Sequence, residues 1–232
     1  MSWINRAKQG SAEAAATHVR SGTVIGLGSG STTRHFIQIL GALLRTRELT
    51  DITAVPTSHQ AAADARKAGI PLCSLDDHPE IELTIDGADQ IDPGLDAIKG
   101  GGGALLREKI VAHNSENYIL IADERKRTQK LGAGTPIPLE VLPFSAATVA
   151  REITELGASA ILREGDGKLG PVVTDNGNFI LDADFGPIED PGRLDVQLRA
   201  IPGILETGLF LGLADFAYIG TRGGVERMER PR

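Results

Sequence analysis

Hydrophobic and polar positions along the first 130 residues repeat in an order of strand and helix. Small or apolar residues recur at helical spacing from 4 to 19. Apolar runs then predict buried strands over 23–27, 52–55, 83–86 and 118–122, and helical patterns follow the first three over 31–43, 59–68 and 104–112. This alternation predicts an α/β fold, a Rossmann-like doubly wound parallel sheet.

The pattern changes after the glycine-rich segment 132–136. Strands are predicted over 138–142, 158–162, 179–183 and 203–210, with helices over 145–156 and 190–200. The order β-α-β-β-α-β is that of a ferredoxin-like unit. A strand over 215–220 is expected to return to the first sheet, and 222–232 has no periodic pattern. We therefore predict a catalytic domain over 1–131, rejoined by 206–232, and a smaller inserted α+β domain over 132–205.

Four consecutive glycines at 100–103 mark the centre of the candidate chemistry. Glycine loses more backbone freedom on folding than any other residue, so such a run suits close approach of backbone to a ligand. Lys99 precedes the run, and a helix with Glu108 one turn inside follows it. Glu108 shares a helical stripe with Val111 and Ala112, so its carboxylate is either paired or raised in pKa by desolvation. A general base working near neutrality needs a raised pKa.

A second glycine-containing turn lies between the first strand and its helix. The sequence GSGSTT over 28–33 offers backbone N–H groups and hydroxyls to a phosphate, whereas the simpler alternative is a tight turn with Ser31 as N-cap. It is neither a dinucleotide fingerprint, because the third glycine is misplaced, nor a Walker loop, because no Gly-Lys-Ser/Thr follows.

Polar residues also follow the other predicted strands. Asp86 and Asp89 come at the end of the strand 83–86, where ligands bind in parallel α/β sheets, although aspartates are also common in turns. Thr57 or Ser58 caps the helix 59–68 or faces a ligand. The charged run 123–127 is either a solvated loop or part of the same site.

Composition narrows the function classes. The chain has 232 residues, of which 41% are hydrophobic, and a net charge of −7, which disfavours nucleic acid as a partner. The single Cys73 fits a reducing compartment, and five scattered histidines have no zinc-ligand spacing. No signal-peptide or membrane-spanning pattern is found, so we expect a cytoplasmic protein. No serine- or cysteine-nucleophile motif occurs, which leaves carboxylate acid/base chemistry on a small phosphorylated molecule.

Several segments in fixed order resemble ribose-5-phosphate isomerase of type A. They are GLGSGST at 26–32, LTIDGAD at 83–89, KGGGGALLREK at 99–109, IADERK at 121–126 and VVTDNGN at 172–178, with agreement also at 201–203 and 208–210. The resemblance implies interconversion of ribose 5-phosphate and ribulose 5-phosphate without metal or organic cofactor, by a homodimer or homotetramer. Three residues depart from the usual pattern: Ser29 in place of Thr, Gln90 in place of an acid, and Arg125 in place of Ser.

The same resemblance assigns roles to individual residues. Glu108 matches the proton-transferring base, and Asp86, Asp89 and Lys99 match residues around the sugar hydroxyls and carbonyl. The positions matching substrate-binding residues are Ser29, Gly30, Ser31, Thr32, Gly87, Ala88, Gly100, Gly101, Gly102 and Lys126, with phosphate contacts expected at 29–32 and Lys126.

Two other functions share parts of this pattern. A sugar-phosphate sensor would keep the phosphate turn, but it would not need Glu108 together with Asp86, Asp89 and Lys99. An acyl-CoA transferase on a related fold would use a glutamate as nucleophile and would need room for CoA, which this short chain does not offer.

Overall fold

The computed structural model describes residues 2–167 and 169–230. Met1, Lys168, Pro231 and Arg232, which fall within the predicted domain ranges, lie outside the described residues. The helices are α1 Trp3–Ala16, α2 Ser31–Thr46, α3 His59–Ala68, α4 Leu105–His113, α5 Ala146–Glu155 and α6 Pro191–Arg199. The strands are β1 Val24–Leu27, β2 Thr53–Pro56, β3 Leu83–Gly87, β4 Gln90–Ile91, β5 Ala97–Ile98, β6 Tyr118–Asp123, β7 Ile137–Val141, β8 Ser159–Leu162, β9 Phe179–Asp184, β10 Ile204–Thr207, β11 Leu209–Phe210, β12 Phe216–Gly220 and β13 Val225–Glu229. Within the described ranges, no helix has both the length and the hydropathy that crossing a bilayer requires.

The larger sheet has the strand order β13-β12-β6-β3-β1-β2. All of its strands run parallel except β13, which pairs antiparallel to β12 at the edge. The Rossmann-like prediction is therefore confirmed. The strand predicted over 215–220 returns to this sheet as expected, because β12 pairs with β6 from Phe216 opposite Ile119 to Gly220 opposite Asp123.

Helices cover both faces of the larger sheet. On one face, Ala15 of α1 and Phe36 of α2 pack with Ile121 of β6 in a single core. On the other face, Ala112 of α4 packs with Leu120 of β6. Every residue of β6 is buried, as is typical of a parallel strand covered on both sides. The near-continuous apolar runs of the sequence reflect this double coverage.

The smaller sheet has the order β10-β7-β9-β8, and neighbouring strands are antiparallel. Helix α5 connects β7 to β8, and α6 connects β9 to β10. The core of this unit joins Leu139 and Leu181 of the strands to Val149 and Ile153 of α5 and Leu198 of α6. The predicted β-α-β-β-α-β order is confirmed, and the sheet is a ferredoxin-like one.

The single strand predicted over 203–210 is wrong, because the chain forms two strands that belong to different sheets. β10 pairs with β7, whereas β11 pairs with β5 in a small sheet of order β11-β5-β4. Gly208 lies at the break, where an added Cβ would come within 2.4 Å of Lys99 O and 2.9 Å of Pro138 O. Gly208 O accepts from the Lys99 N–H at 2.9 Å. The crossing between sheets therefore fixes the backbone of Lys99.

Short or exposed strands were not predicted from the sequence. β13 lies within 222–232, where no element was predicted, and nearly all of its residues are exposed, so they form no apolar stripe. β4 and β5 have two residues each, too few for a period to be recognised.

Candidate functional site

A cleft opens at the carboxyl ends of β1, β3 and β6. The loops after β1 and β3, the glycine loop 100–103 and a short 3-10 helix over Glu124–Lys126 surround it. Segments distant in sequence meet here because the ends of parallel strands share one sheet edge. The cleft has a volume of about 180 Å³. Its lining includes these predicted residues: Ser29, Gly30, Ser31, Thr32, Gly87, Ala88, Asp89, Lys99, Gly100, Gly101, Gly102, Glu108 and Lys126.

Asp86, Lys99 and Glu108 meet at the floor of this cleft. Lys99 Nζ lies 3.0 Å from Asp86 Oδ2 and 3.4 Å from Glu108 Oε2, and it donates to Gly87 O at 2.5 Å. All three side chains are buried, and Asp86 lies completely beneath the cleft surface. Two carboxyl groups therefore share one ammonium group in a region largely closed to water.

This crowding changes the ionisation of the three groups. Burial, together with the charge of Asp86, raises the pKa of Glu108 to about 8 against the opposing effect of Lys99. Burial also raises the pKa of Asp86. Burial by itself would lower the pKa of Lys99, but the charges of Asp86 and Glu108 hold it above its ordinary value. The prediction for Glu108 is confirmed in both respects, since the carboxyl is paired and its pKa is raised.

Glu108 Oε2, the carboxyl oxygen that lies 3.4 Å from Lys99 Nζ, has an ion-pair contact but no hydrogen-bond donor among the described residues. Glu108 Oε2 is buried and receives no hydrogen bond from any residue within 2–167 and 169–230. Helix α4 begins at Leu105, so Glu108 lies in its first turn, with Val111 and Ala112 buried on the same side. Native structures rarely leave a buried carboxylate oxygen without a hydrogen-bond donor, and here the Lys99 charge at 3.4 Å compensates the desolvation only in part. This oxygen is an acceptor available to a proton at the cleft floor.

Tyr118, which the apolar pattern predicts only as part of a buried strand, supports Asp86 from below. Its hydroxyl donates to Asp86 Oδ2 at 3.4 Å, while Asp86 Oδ1 accepts from the N–H groups of Ser29 at 3.2 Å and Gly87 at 2.7 Å. Burial raises the pKa of Tyr118 well above its ordinary value, so the phenol stays protonated. The sequence feature that could have identified this contact is a tyrosine in an otherwise aliphatic strand. A buried tyrosine hydroxyl usually has a hydrogen-bond partner, so such a residue points to a nearby polar group.

Asp89 connects the glycine loop to Lys126. Asp89 Oδ2 accepts from the Gly101 N–H at 2.7 Å, and Asp89 Oδ1 lies 3.6 Å from Lys126 Nζ. A Cβ on Gly101 would come within 2.9 Å of both carboxylate oxygens, so a larger residue there would displace the Asp89 side chain. Asp89 is partly exposed and thus faces the cleft, unlike Asp86.

The first turn of α2 carries the features of an anion site. Gly30 is its N-cap and no side chain of the described residues caps the helix, so the alternative with Ser31 as N-cap is wrong. Ser31 Oγ instead accepts from Lys8 Nζ at 2.8 Å. Uncapped N–H groups and the helix dipole favour negative charge, and Lys8 and Lys126 line the same cleft. Lys8 was missed because a lysine on the first helix has no local motif.

The hydroxyl of Ser29 is directed away from the cleft. Ser29 Oγ donates to Ser58 Oγ at 2.6 Å and lies 2.8 Å from Thr57 Oγ1. Ser58 Oγ accepts from the Ala61 N–H and so caps α3, and neither Thr57 nor Ser58 lines the cleft. Of the two roles left open for these residues, the structure supports capping, and Ser29 contributes backbone to the site.

The other two departures from the family pattern have partners of their own. Arg125 forms a bidentate pair with the buried Asp123, at 2.7 Å and 3.1 Å, which compensates its added charge. Gln90 Nε2 donates to Ala133 O at 2.8 Å, and Gln90 Oε1 accepts from the Gly132 N–H at 2.9 Å. Gln90 therefore anchors the segment that leads into the smaller sheet.

Comparison with known proteins identifies relatives across nearly the whole chain. The family model for ribose 5-phosphate isomerase A (phosphoriboisomerase A) matches residues 53–224. Ribose-5-phosphate isomerase A of Thermosynechococcus vestitus is 50% identical over 94% of this chain and 92% of its own length. The enzyme of Thermococcus kodakarensis is 47% identical over 98% and 99%.

Solved structures agree with the sequence relatives. A D-ribose-5-phosphate isomerase in complex with phospho-erythronic acid superposes with a TM-score of 0.96 at 43% identity, covering 99% of this chain and 100% of that one. Ribose 5-phosphate isomerase A of Methanocaldococcus jannaschii has a TM-score of 0.92 at 41% identity, covering 96% and 97%.

Proposed function

The chain belongs to the ribose 5-phosphate isomerase A family, which interconverts ribose 5-phosphate and ribulose 5-phosphate, and we propose that it works through an enediolate with Glu108 as the base. The observation that carries this proposal is the buried Glu108 carboxyl beside Lys99, beneath a cleft with an anion site at its edge. Membership in a family of isomerases removes the sensor and acyl-CoA transferase alternatives.

Glu108 moves one proton between adjacent carbons. It takes the proton from C2 of open-chain ribose 5-phosphate, the C2–H electron pair forms the C1–C2 double bond, and the carbonyl electrons pass to O1. Glu108 then returns the proton to C1, and the proton of the O2 hydroxyl passes to O1, so that the carbonyl now lies at C2. With a pKa of about 8, Glu108 is basic enough to take this proton and acidic enough to release it.

Lys99 and the two aspartates serve the developing charge. The Lys99 ammonium, 3.4 Å from Glu108 Oε2, stabilises the negative oxygen of the enediolate, where a fixed cation acts most strongly in the transition state. Asp86 is fully buried and holds Lys99 in place at 3.0 Å. Asp89 faces the cleft, and its carboxylate accepts a hydrogen bond from a sugar hydroxyl.

The phosphate binds at the first turn of α2. Backbone N–H groups of 31–33 and the ammonium groups of Lys126 and Lys8 supply donors and charge at one end of the cleft, and Glu108 lies at its floor. An overall charge of −7 would repel a phosphate, so this local cluster is needed to recognise it.

A coupled assay tests the proposed reaction. Purified protein is expected to form ribulose 5-phosphate from ribose 5-phosphate, whereas the Glu108→Gln variant should give little. Unphosphorylated ribose, followed separately as ribulose, should also be converted only slowly. Formation of ribulose 5-phosphate at the same rate by Glu108→Gln would reject Glu108 as the base, and its absence with the wild-type protein would reject the function.

A further inference from the structure

The glycine loop 100–103 is held on its carbonyl side by an arginine from the smaller sheet. Arg163 Nη1 donates to Gly100 O at 2.8 Å and to Gly101 O at 3.1 Å. Arg163 directly follows β8, and its own N–H donates to Ile180 O of β9 at 2.9 Å. The loop that lines the cleft is therefore tied to a rigid element of the second unit.

Asp182 fixes the direction of this guanidinium group. Arg163 Nε donates to Asp182 Oδ2 at 2.8 Å, and Arg163 Nη2 donates to Asp182 Oδ1. Both side chains are mostly buried, with 16% and 22% exposed. A bidentate arginine–carboxylate pair sets geometry as well as contributing free energy. The remaining nitrogen, Nη1, is consequently aimed at the loop carbonyls.

Peptide planarity transmits this contact to the opposite side of the loop. The C=O of one residue and the N–H of the next point in opposite directions within one planar unit. Holding Gly100 O toward Arg163 thus directs the Gly101 N–H to Asp89, which accepts it at 2.7 Å. Holding Gly101 O likewise directs the Gly102 N–H away from Arg163.

Gly102 is exposed, and its N–H has no acceptor within the part of the chain that the structure describes. Across residues 2–167 and 169–230 it makes no hydrogen bond, and Gly102 lines the cleft. Four consecutive glycines have many accessible backbone conformations, so this direction is not set by local sequence. Arg163 restricts the loop to one of them together with Asp89, which accepts from the Gly101 N–H, and with the Gly103 N–H, which donates to Gly100 O at 2.9 Å.

We propose that Arg163 is a positioning residue for the isomerisation. By holding the Gly100 and Gly101 carbonyls, it orients the Gly102 N–H as a donor to the sugar oxygen on which negative charge develops. This role rests on the proposed function, and it gives the smaller unit a part in building the site.

The test compares Arg163→Met with Arg151→Met, an exposed arginine of α5 whose ion pair is with Glu155 of the same helix. Amide hydrogen exchange over residues 99–106 and the kinetics of ribose 5-phosphate isomerisation are measured for both. The Arg163→Met variant should show faster amide exchange in the loop and a kcat/KM lowered by about 10- to 100-fold, mostly through kcat. This is the range expected when a group that contacts the substrate is misplaced by up to about 1 Å. Arg163→Lys and Asp182→Asn should show smaller changes in the same direction, and Arg151→Met none.

Either of two results would overturn the proposal: faster loop exchange with unchanged kcat and KM, or reduced activity with unchanged loop exchange. If Arg163→Met does not fold, Arg163→Lys and Asp182→Asn provide the same comparison. A wild-type protein without isomerase activity would reject the proposed function instead, and loop exchange in the variants would still report whether Arg163 holds the loop.

Discussion

Replacing Glu108 by glutamine is expected to remove activity while increasing stability at neutral pH. The amide has the same shape but cannot take a proton, so kcat should fall by about 10²–10⁴-fold, the usual contribution of a general base. Stability changes in the opposite direction because the folded protein holds Glu108 at a pKa of about 8. An unfolded chain has no such constraint.

The magnitude follows from proton linkage. A glutamate ionises in the unfolded chain near pH 4.3, so the unfolded state loses its proton first and stability falls as pH rises from there toward 8. At pH 7 the solution is about 2.7 pH units above the pKa of the glutamate in the unfolded chain. Each unit lowers the free energy of unfolding by about 1.4 kcal/mol, so the buried Glu108 costs the folded protein at most about 4 kcal/mol. Glutamine avoids this penalty because it does not ionise.

Urea unfolding of wild type and Glu108→Gln at several pH values measures this difference. The two proteins should be nearly equal near pH 4.5, and the variant should gain progressively up to pH 8. The matched control is Glu80→Gln, at an exposed position, which should show no such trend. A wild-type protein as stable as the variant at pH 7 would mean that Lys99 compensates the buried carboxylate fully, and it would refute the raised pKa.

Three further results are expected. The kcat/KM for ribose 5-phosphate should rise about tenfold per unit below pH 8 and level off above it, because Glu108 must be ionised to act as a base; a flat profile between about pH 6 and 9 would contradict this. Lys99→Met should lower kcat by about 10²–10³-fold. It should also move the rising limb of the kcat/KM profile to higher pH, since the Lys99 charge lowers the pKa of Glu108. A raised KM with unchanged kcat would reject the role of Lys99 in stabilising the enediolate. Lys126→Ala and Ser31→Ala should each weaken ribose 5-phosphate binding by about 1–3 kcal/mol. Lys126→Ala should also weaken inhibition by sulfate. If either substitution weakened the binding of unphosphorylated ribose equally, the anion site would lie elsewhere.

The sequence by itself determined most of the elements and which segments carry the chemistry. Helix α3 has the predicted bounds because a serine cap and a glycine stop are local signals. The glycine run before Glu108 and the aspartates after β3 were recognisable for the same reason. The parallel strands of the larger sheet were predictable because they are largely buried and read as apolar runs, whereas the exposed edge strand β13 was not.

Only the tertiary structure decided how these segments act on one another. The pKa of Glu108 depends on the charges of Asp86 and Lys99, which lie 22 and 9 positions away along the chain. It also depends on burial, which arises only when the helix that carries Glu108 packs against the rest of the protein. Lys8 and Arg163 reach the cleft and the glycine loop from other elements, so no local pattern could identify them. Local sequence sets backbone preference over a few residues, whereas distance and desolvation between remote side chains are set by packing.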